Sequence, residues 1–568
     1  MKHKITLLLF AFSYILFAQD TAYNWAKTVG GSGGYDFALS IDYDSTGNVY
    51  TAGYFSNTVD FDPSSSSSFT LSSNGSSDMF IQKLDANGNF VWAVSFGSSF
   101  SDVASDIVID ANDNVIITGF FRGTVDFDPS SNVSELVSGD YYQNYVLKLD
   151  ADGNLVWAKA FGRTSFSNDY GSVDVDATGN VYTTSYFRDT ADFDPGSGTF
   201  NVTSSGFSDI YVHKLDVNGN FSWVRTFGSS NSHDIGHALV VSNSGYVYST
   251  GEFLSTVDFN TGSGTYNRSS NGIRDYYIHK LDTNGNFIWA RTAGGSSDEI
   301  GRGIALDSNE NIYFVGYVAD SGDFDPTSST YNVTVTGAYN AFIAKFNSSG
   351  NFQWAKNIDG VNVRSDATDI AIDVDDKVYF IGSFQFTPDF DFSNTTNTMT
   401  SNGNDDIFVQ KIDGDSNFIW AKSIGGSSWD IPYGIKIGPQ NQIYIAGTFT
   451  GSVDFDFTTN TDNQNRGSGY NIFTSKWKDP EVLSVNTFEN QQSYIFPNPA
   501  KERINLSFQK NIQEVDITLF TVSGELLFKK KFQHIEKVTL PLQNISRGIY
   551  FLNVTGNSIT ETHKLIIN

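Results

Sequence analysis

From residue 24 to residue 477 the chain is a succession of short apolar runs, each bounded by Asp, Asn, Gly or Ser. One stretch shows the pattern. ASDIVID (104–110) ends at a polar turn, and VIITGFF (115–121) follows it. After the loop GTVDFDPSSN comes YVLKLD (145–150), and the turn ADGN leads into LVWAKAFG (155–162). Runs of this length with Asp and Asn-Gly punctuation predict four strands joined by hairpins. The third run is apolar at nearly every position before its Lys, as in IYVHKL (210–215) and IFVQKI (407–412). That pattern predicts a strand covered on both faces.

The unit repeats. Trp recurs at Trp25, Trp92, Trp157, Trp223, Trp289, Trp354 and Trp420, at steps of 65 to 67 residues. Lys recurs at the same period at Lys83, Lys148, Lys214, Lys280, Lys345, Lys411 and Lys476. So does the first Asp of DFDP, at Asp60, Asp126, Asp192, Asp258, Asp323, Asp389 and Asp454. A fixed period of this kind signals a repeat architecture. The ends of the array decide which one. It opens on a lone fourth strand, Asn24 to Gly30, and ends on a lone third strand, Asn471 to Trp477. Pairing the two closes a ring and removes two exposed sheet edges. The expected fold is all-β: a seven-bladed β-propeller of four-stranded blades over residues 19–477, closed by the N-terminal strand.

After Trp477 the repeat stops. Residues 478–493 (KDPEVLSVNTFENQQS) are polar and aperiodic and read as a linker. Residues 494–568 carry six or seven further strand-like runs, including RINLSF, VDITLF and GIYFLNVTG. They predict a small Ig-like β-sandwich. At the other end, Lys2, His3 and Lys4 precede an apolar run to Phe17, then Ala18-Gln19. This is the pattern of a signal peptide over residues 1–18, and the run is too short to span a bilayer comfortably. No later segment reads as a membrane helix.

Composition narrows the chemistry. The chain has 568 residues, 15% aromatics, 51 Gly and 3 Met, a mix that favours strands and tight turns. Its formal net charge is −28, which argues against nucleic acid as a partner. Cysteine is absent, which excludes disulfides, thiolate metal sites, a Cys nucleophile and a lipoprotein anchor.

Units such as LDANGNFVWAVSFG and IDYDSTGNVYTAGYF resemble the β-propeller repeats of secreted bacterial proteins, and their Asp-turn-Trp order is similar to the tryptophan-docking motif of quinoprotein propellers. The C-terminal region resembles the type A sorting domain of the Bacteroidetes type IX secretion system. The matching positions are Pro497-Asn498-Pro499, Gly524, Gly548-Ile549-Tyr550 and the Lys564-Leu565-Ile566-Ile567 end. This resemblance implies recognition by the type IX machinery, export across both membranes to the outer surface or the medium, and removal of the domain during or after passage.

The candidate chemistry is sparse. His213 and His279 share a repeat position at which other units carry Gln, Leu, Ala or Ser, so packing is the expected role. His233 and His237 lie four apart without a third ligand, a weak zinc pattern. No G-x-S-x-G elbow or phosphate loop is present.

Two sets of Asp recur. Asp60 and Asp62, Asp126 and Asp128, and Asp192 and Asp194 are i, i+2 pairs in DFDP. A second set, Asp36, Asp102, Asp169, Asp234, Asp298, Asp366 and Asp430, precedes each first strand. Either set could present oxygen ligands to Ca²⁺. Both are equally turn caps that accept backbone N–H bonds, and this is the preferred reading. No other cofactor is expected. The serial Trp read as core. Trp429 lies outside that series beside Asp430 and is the candidate for an exposed ligand contact, with Asp36, Asp102 and Asp298 on the same face. The expected function is a secreted or cell-surface binding or adhesion protein, not an enzyme, for a glycan or protein ligand. The alternative is a hydrolase or lyase working in the propeller channel. Blade-specific His, Arg or carboxylates converging on the channel would favour the alternative.

Overall fold

The computed structural model describes residues 23–31, 33–165, 170–458, 460–479, 493–521, 526–543, 545–556 and 559–567. The expected signal peptide, Asp169, Gly524 and most of the expected linker lie outside these. The chain divides into two compact units, residues 1–480 and 481–568.

The first unit contains seven four-stranded antiparallel sheets, each blade-like. In the first sheet the order is Phe37–Tyr43, Val49–Phe55, Asp78–Leu84 and Phe90–Phe96. The seventh has Asp430–Gly438, Gln442–Asp454 and Asn463–Lys478, and its fourth strand is Tyr23–Val29 from the start of the chain. Trp25 pairs with Lys476 and Val29 with Ile472, so the orphan strands meet as their spacing predicts. The first strand of each sheet packs against the first strands of its two neighbours, and the seventh packs against the first. The inner strands therefore form a closed cycle around an axis.

Two devices hold neighbouring sheets together. The Phe of DFDP (Phe61, Phe127, Phe193, Phe259, Phe324, Phe390 and Phe455) is fully buried among the aromatic rings of its unit. The serial Trp, expected as core at the interfaces between blades, lie on the seams between sheets and are mostly half-buried. At four seams Lys and Trp of one sheet reach the same carbonyl in the third-to-fourth hairpin of the next, whereas Lys148 pairs with Asp110 of its own sheet. Lys83 Nζ and Trp92 Nε1 donate to the Ala151 carbonyl at 3.0 and 3.3 Å. Lys345 and Trp354 share Gly414, and Lys476 and Trp25 share Ala86 across the closure. The hairpin needs glycine: Gly88, at φ 80°, lies flat under the Trp25 ring, where a Cβ would stand 3.0 Å from it.

The seventh sheet has no third-to-fourth hairpin, because its fourth strand comes from the chain start. The sixth sheet's Lys411 and Trp420 would lose their acceptor. Asp479 supplies it: its carboxylate pairs with Lys411, accepts Trp420 Nε1 at 2.9 Å and accepts the Tyr379 hydroxyl at 2.8 Å. The ring unit thus extends beyond the expected boundary at Trp477 to include Asp479.

The second unit is a five-stranded sheet in the order Ser493–Phe496, Arg503–Thr521, Gly548–Gly556 and Ile559–Ile567, with Leu526–Pro541 also paired to Arg503–Thr521. Five strands replace the expected six or seven because RINLSF and VDITLF belong to one long strand. Its pairing with Leu526–Pro541 shifts register between Ser507 and Ile512, which lets one strand serve both halves of a single core around Leu506, Val515 and Leu552.

Candidate ligand site at the channel mouth

The recurrent Asp of DFDP close their own loops. Asp60 Oδ1 accepts the backbone N–H of Asp62 and Phe69 at 3.1 and 2.8 Å. Asp126 takes those of Asp128 and Ser134, and Asp192 those of Asp194 and Phe200. Asp62, Asp128 and Asp194 each cap the following turn through the N–H of Ser64, Ser130 and Gly196. Among the described residues no three His, Cys, Asp or Glu side chains gather as a metal site.

Of the Asp that precede the first strands, Asp36, Asp102, Asp234 and Asp430 are also caps, and they are fully buried. Asp36 accepts the N–H of Gly31 and Ser56, and Asp102 those of Ser98 and Arg122. Asp430 accepts the N–H of Gly426. Burial raises Asp36 and Asp102 to about 6 and Asp430 to about 7. Their carboxylates face backbone, so the expected ligand contacts at Asp36, Asp102 and Asp430 are corrected to turn caps. The expected series also slips by one residue in two sheets. In the fifth sheet the buried cap is Glu299, which burial raises to about 8, and in the sixth it is Ser365. Asp298 and Asp366 stand outside the caps and face other groups.

The residue before each cap forms a rim: Tyr35, Ser101, His233, Asp298, Arg364 and Trp429. Each makes a parallel bridge to a residue at or just before the start of a third strand's paired core, Trp429 to Asp405 for example. Trp429 therefore has a regular place in a different ring, and it is 41% exposed.

Below the rim six of the seven inner strands carry a β-bulge, visible as a register shift at 38/40, 104/106, 236/238, 301/303, 367/369 and 432/434. A glycine in the second strand makes room for it. A Cβ on Gly53, Gly119, Gly251, Gly316, Gly382 or Gly447 would sit 1.8 to 2.2 Å from a carbonyl of the first strand. The extra residue points toward the axis. At that place the chain carries Leu39, Ser105, His237, Arg302, Thr368 and Tyr433, with Gly171 as the counterpart in the third sheet. No two are alike.

These residues line a cavity of about 460 Å³ to which all seven sheets contribute. One side is aromatic. Phe37 and Tyr54 stack with centroids 5.0 Å apart, Tyr433 stands 6.2 Å from Phe37, and Trp429 and Tyr170 complete it. The other side is charged. Arg302 Nε pairs with Asp366 at 3.1 Å. Behind it Arg274 binds Glu252 at 3.1 Å and Asp298 at 2.8 Å, and His237 Nε2 lies 3.8 Å from Glu252. Burial alone would raise Glu252, but His237 and Arg274 hold it below the ordinary range. Burial raises Asp366 against the pull of Arg302.

Deeper along the axis Lys436 faces Asp42, Asp106, Asp174 and Asp369. Burial lowers the ammonium, and the four carboxylates together more than reverse this, holding it above the ordinary lysine range. Among the described residues it has no carboxylate within 4 Å. Each Asp instead ties its strand to the next, accepting the N–H of Ile109, Val173, Val241 and Ile435 at 2.7 to 2.9 Å. Burial raises Asp174 and Asp369 to about 6.

His213 and His279 are fully buried against Phe rings, and burial lowers them to about 3 and about 4, so the packing reading holds. His233 is on the rim against Phe207 and His237 is in the cavity, so the i, i+4 pair is not a shared site. The sequence reading missed His237, Arg302, Tyr433 and the carboxylate collar. The available signal was the Gly of each second strand, which marks the bulge.

In the second unit Asn498 ties the Pro497–Pro499 segment to the last strand. Its side chain donates to the Lys564 carbonyl at 2.6 Å and accepts the Ile566 N–H at 2.8 Å. The Tyr550 hydroxyl donates to the Ser546 carbonyl at 2.6 Å, and Gly548 opens that strand. Residues 494–568 match the family of secretion system C-terminal sorting domains.

These residues are a type IX secretion sorting domain.

The cargo is accordingly exported to the cell surface or the extracellular space. No helix among the described residues is long and apolar enough to cross a membrane. An uncharacterized WD repeat-containing protein of Acanthamoeba polyphaga mimivirus is 24% identical over 511 residues, covering 76% of this chain and 36% of that protein. The chain thus spans about a third of that relative's length. Among solved structures, a fungal alcohol oxidase of the AA5 family in complex with copper is similar at 14% identity and a TM-score of 0.36, over 96% of this chain and 98% of that one. Sqt1 from Chaetomium thermophilum is similar at 10% identity and a TM-score of 0.35, over 80% and 90%. Likenesses at this level carry no argument about catalysis.

Proposed function

We propose that this cargo is a seven-bladed β-propeller, delivered by an Ig-like sorting domain, that acts outside the cell as a binding protein with its ligand seated in the channel mouth. The observation that carries the reading is the bulge ring. Six of the seven sheets keep the bulge and its glycine alike, yet the seven sheets place seven different residues at the position that faces the axis. Side chains needed only for the ring would be uniform there. Binding is favoured over hydrolysis because the carboxylates of the cavity are engaged: Asp106 and Asp369 by backbone N–H, Asp366 by Arg302 and Asp405 by Gln385. No pair stands free to act as acid and base. The Asp of DFDP serve as loop caps.

The test is a panel of oligosaccharides and peptides titrated against the full chain and against Arg302→Ala and Tyr433→Ala. The reading expects a ligand whose affinity falls at least tenfold in both variants. A ligand indifferent to both substitutions would sink it.

A further inference from the structure

We infer that the channel mouth is a carbohydrate site for the end of a neutral or amino-bearing glycan, an inference that rests on the mouth being the ligand site. A cavity of about 460 Å³ is the size that takes a small molecule or the terminal units of a polymer, not a folded partner. Its aromatic side offers ring faces, with Trp429 at the entrance and Phe37, Tyr54 and Tyr433 within. The C–H faces of a pyranose pack on such rings.

The opposite requirement, hydrogen bonds for hydroxyl groups, is also met. Ser105 and His237 project from the bulges of the second and fourth sheets, 5% and 9% exposed, and both line the cavity. Ser105 Oγ has no hydrogen-bond partner in the protein, and His237 Nε2 has only the Glu252 carboxylate, beyond hydrogen-bond distance at 3.8 Å. Buried polar atoms are rarely left so, and here both face the cavity. A ligand that is apolar on one face and hydroxylated at its edges satisfies both walls at once.

Charge restricts the class. The lining holds Asp106, Asp366, Asp369 and Asp405 against Arg302 and His237. This balance repels carboxylated, sulfated or phosphorylated glycans and accepts neutral or amino sugars. A peptide added as an extra strand is disfavoured, because Asp42, Asp106, Asp174 and Asp369 already take inner-strand N–H groups of neighbouring sheets.

The experiment is a glycan array of neutral, amino-bearing and acidic glycans probed with the full chain, then calorimetry with the hits on Trp429→Ala and Ser105→Ala. Trp429 is exposed, so its variant keeps the fold, and a melting curve for each variant checks this. Expected are hits confined to neutral or amino-bearing glycans, with affinity at least tenfold lower in Trp429→Ala and several-fold lower in Ser105→Ala. No hit, a preference for acidic glycans, or hits indifferent to both substitutions would overturn the inference. A peptide that binds and is lost in Trp429→Ala would overturn the glycan class while leaving the channel mouth as the ligand site.

Discussion

The seams between sheets and the bulge ring at the axis are built from the same seven repeats, and they differ in what repetition does. At the seams one solution recurs: a Lys and a Trp grip a hairpin carbonyl of the next sheet. When the chain's own ends remove that hairpin, a new residue, Asp479, rebuilds the acceptor. At the axis the backbone recurs, with bulge and glycine in six of the seven sheets, while the side chain changes every time. Repetition of side chains marks what the ring needs to close. Repetition of backbone with free side chains marks a place where the ring leaves chemistry open.

The comparison breaks most visibly at Asp479. Asp479→Ala leaves buried Lys411 with only the more distant Asp373 at 3.7 Å and strips the acceptor from Trp420, and the loss should approach the ~3–5 kcal/mol of a broken buried pair. Denaturant unfolding of the full chain should show that loss. Deleting residues 478 onward should destabilise the ring as much, whereas deleting from 481 should not.

Next in size is the shared backbone. Gly119→Ala places a methyl 2.0 Å from the Val103 carbonyl and must push the bulge aside. Overpacking of this kind costs about 1–3 kcal/mol, read as a lower melting temperature. It should also weaken ligand binding, because the bulge aims Ser105.

The buried caps give a pH signature. Glu299, raised to about 8 from its ordinary 4.5, holds its proton more tightly folded than unfolded. Its contribution to stability is complete below pH 4.5 and is lost as pH rises toward 8. Asp36, Asp102 and Asp430 act in the same sense with upper ends near 6 to 7. The melting temperature should therefore decline between about pH 5 and 8, and Glu299→Gln should flatten that decline. A decline of equal slope in the variant would remove Glu299 from the account.

The smallest effects belong to the loops and the rim. Asp62→Ala should cost about 1 kcal/mol, the net worth of one cap hydrogen bond, with the same loss in calcium and in chelator. Trp429→Ala should change stability by less than about 0.5 kcal/mol. A larger loss at Trp429 would show that the rim, too, serves the ring.

How much of this was legible depends on whether a residue's partner is near in sequence or at a fixed period. The strand runs, the closure of Asn24–Gly30 onto Asn471–Trp477 and the sorting domain could be read because pattern and spacing encode them. The slip from Asp298 to Glu299 could not, because an adjacent acid looks equivalent until the strand's register is known. Trp429 stood out in the sequence because it is out of series. His237 and Arg302 did not, because nothing local separates them from ordinary surface residues.

The sequence by itself determined the strands, their number per repeat, the period, the joining of the two ends and the route out of the cell. Hydrophobic alternation, turn chemistry and repetition are local or periodic properties, and they survive without coordinates. Only the tertiary structure decided which side chains meet at the axis, which acids are buried caps and why Asp479 belongs to the ring. Those contacts join residues about one repeat apart or at opposite ends of the chain, and a one-residue change in strand register exchanges a buried side chain for one that faces a ligand.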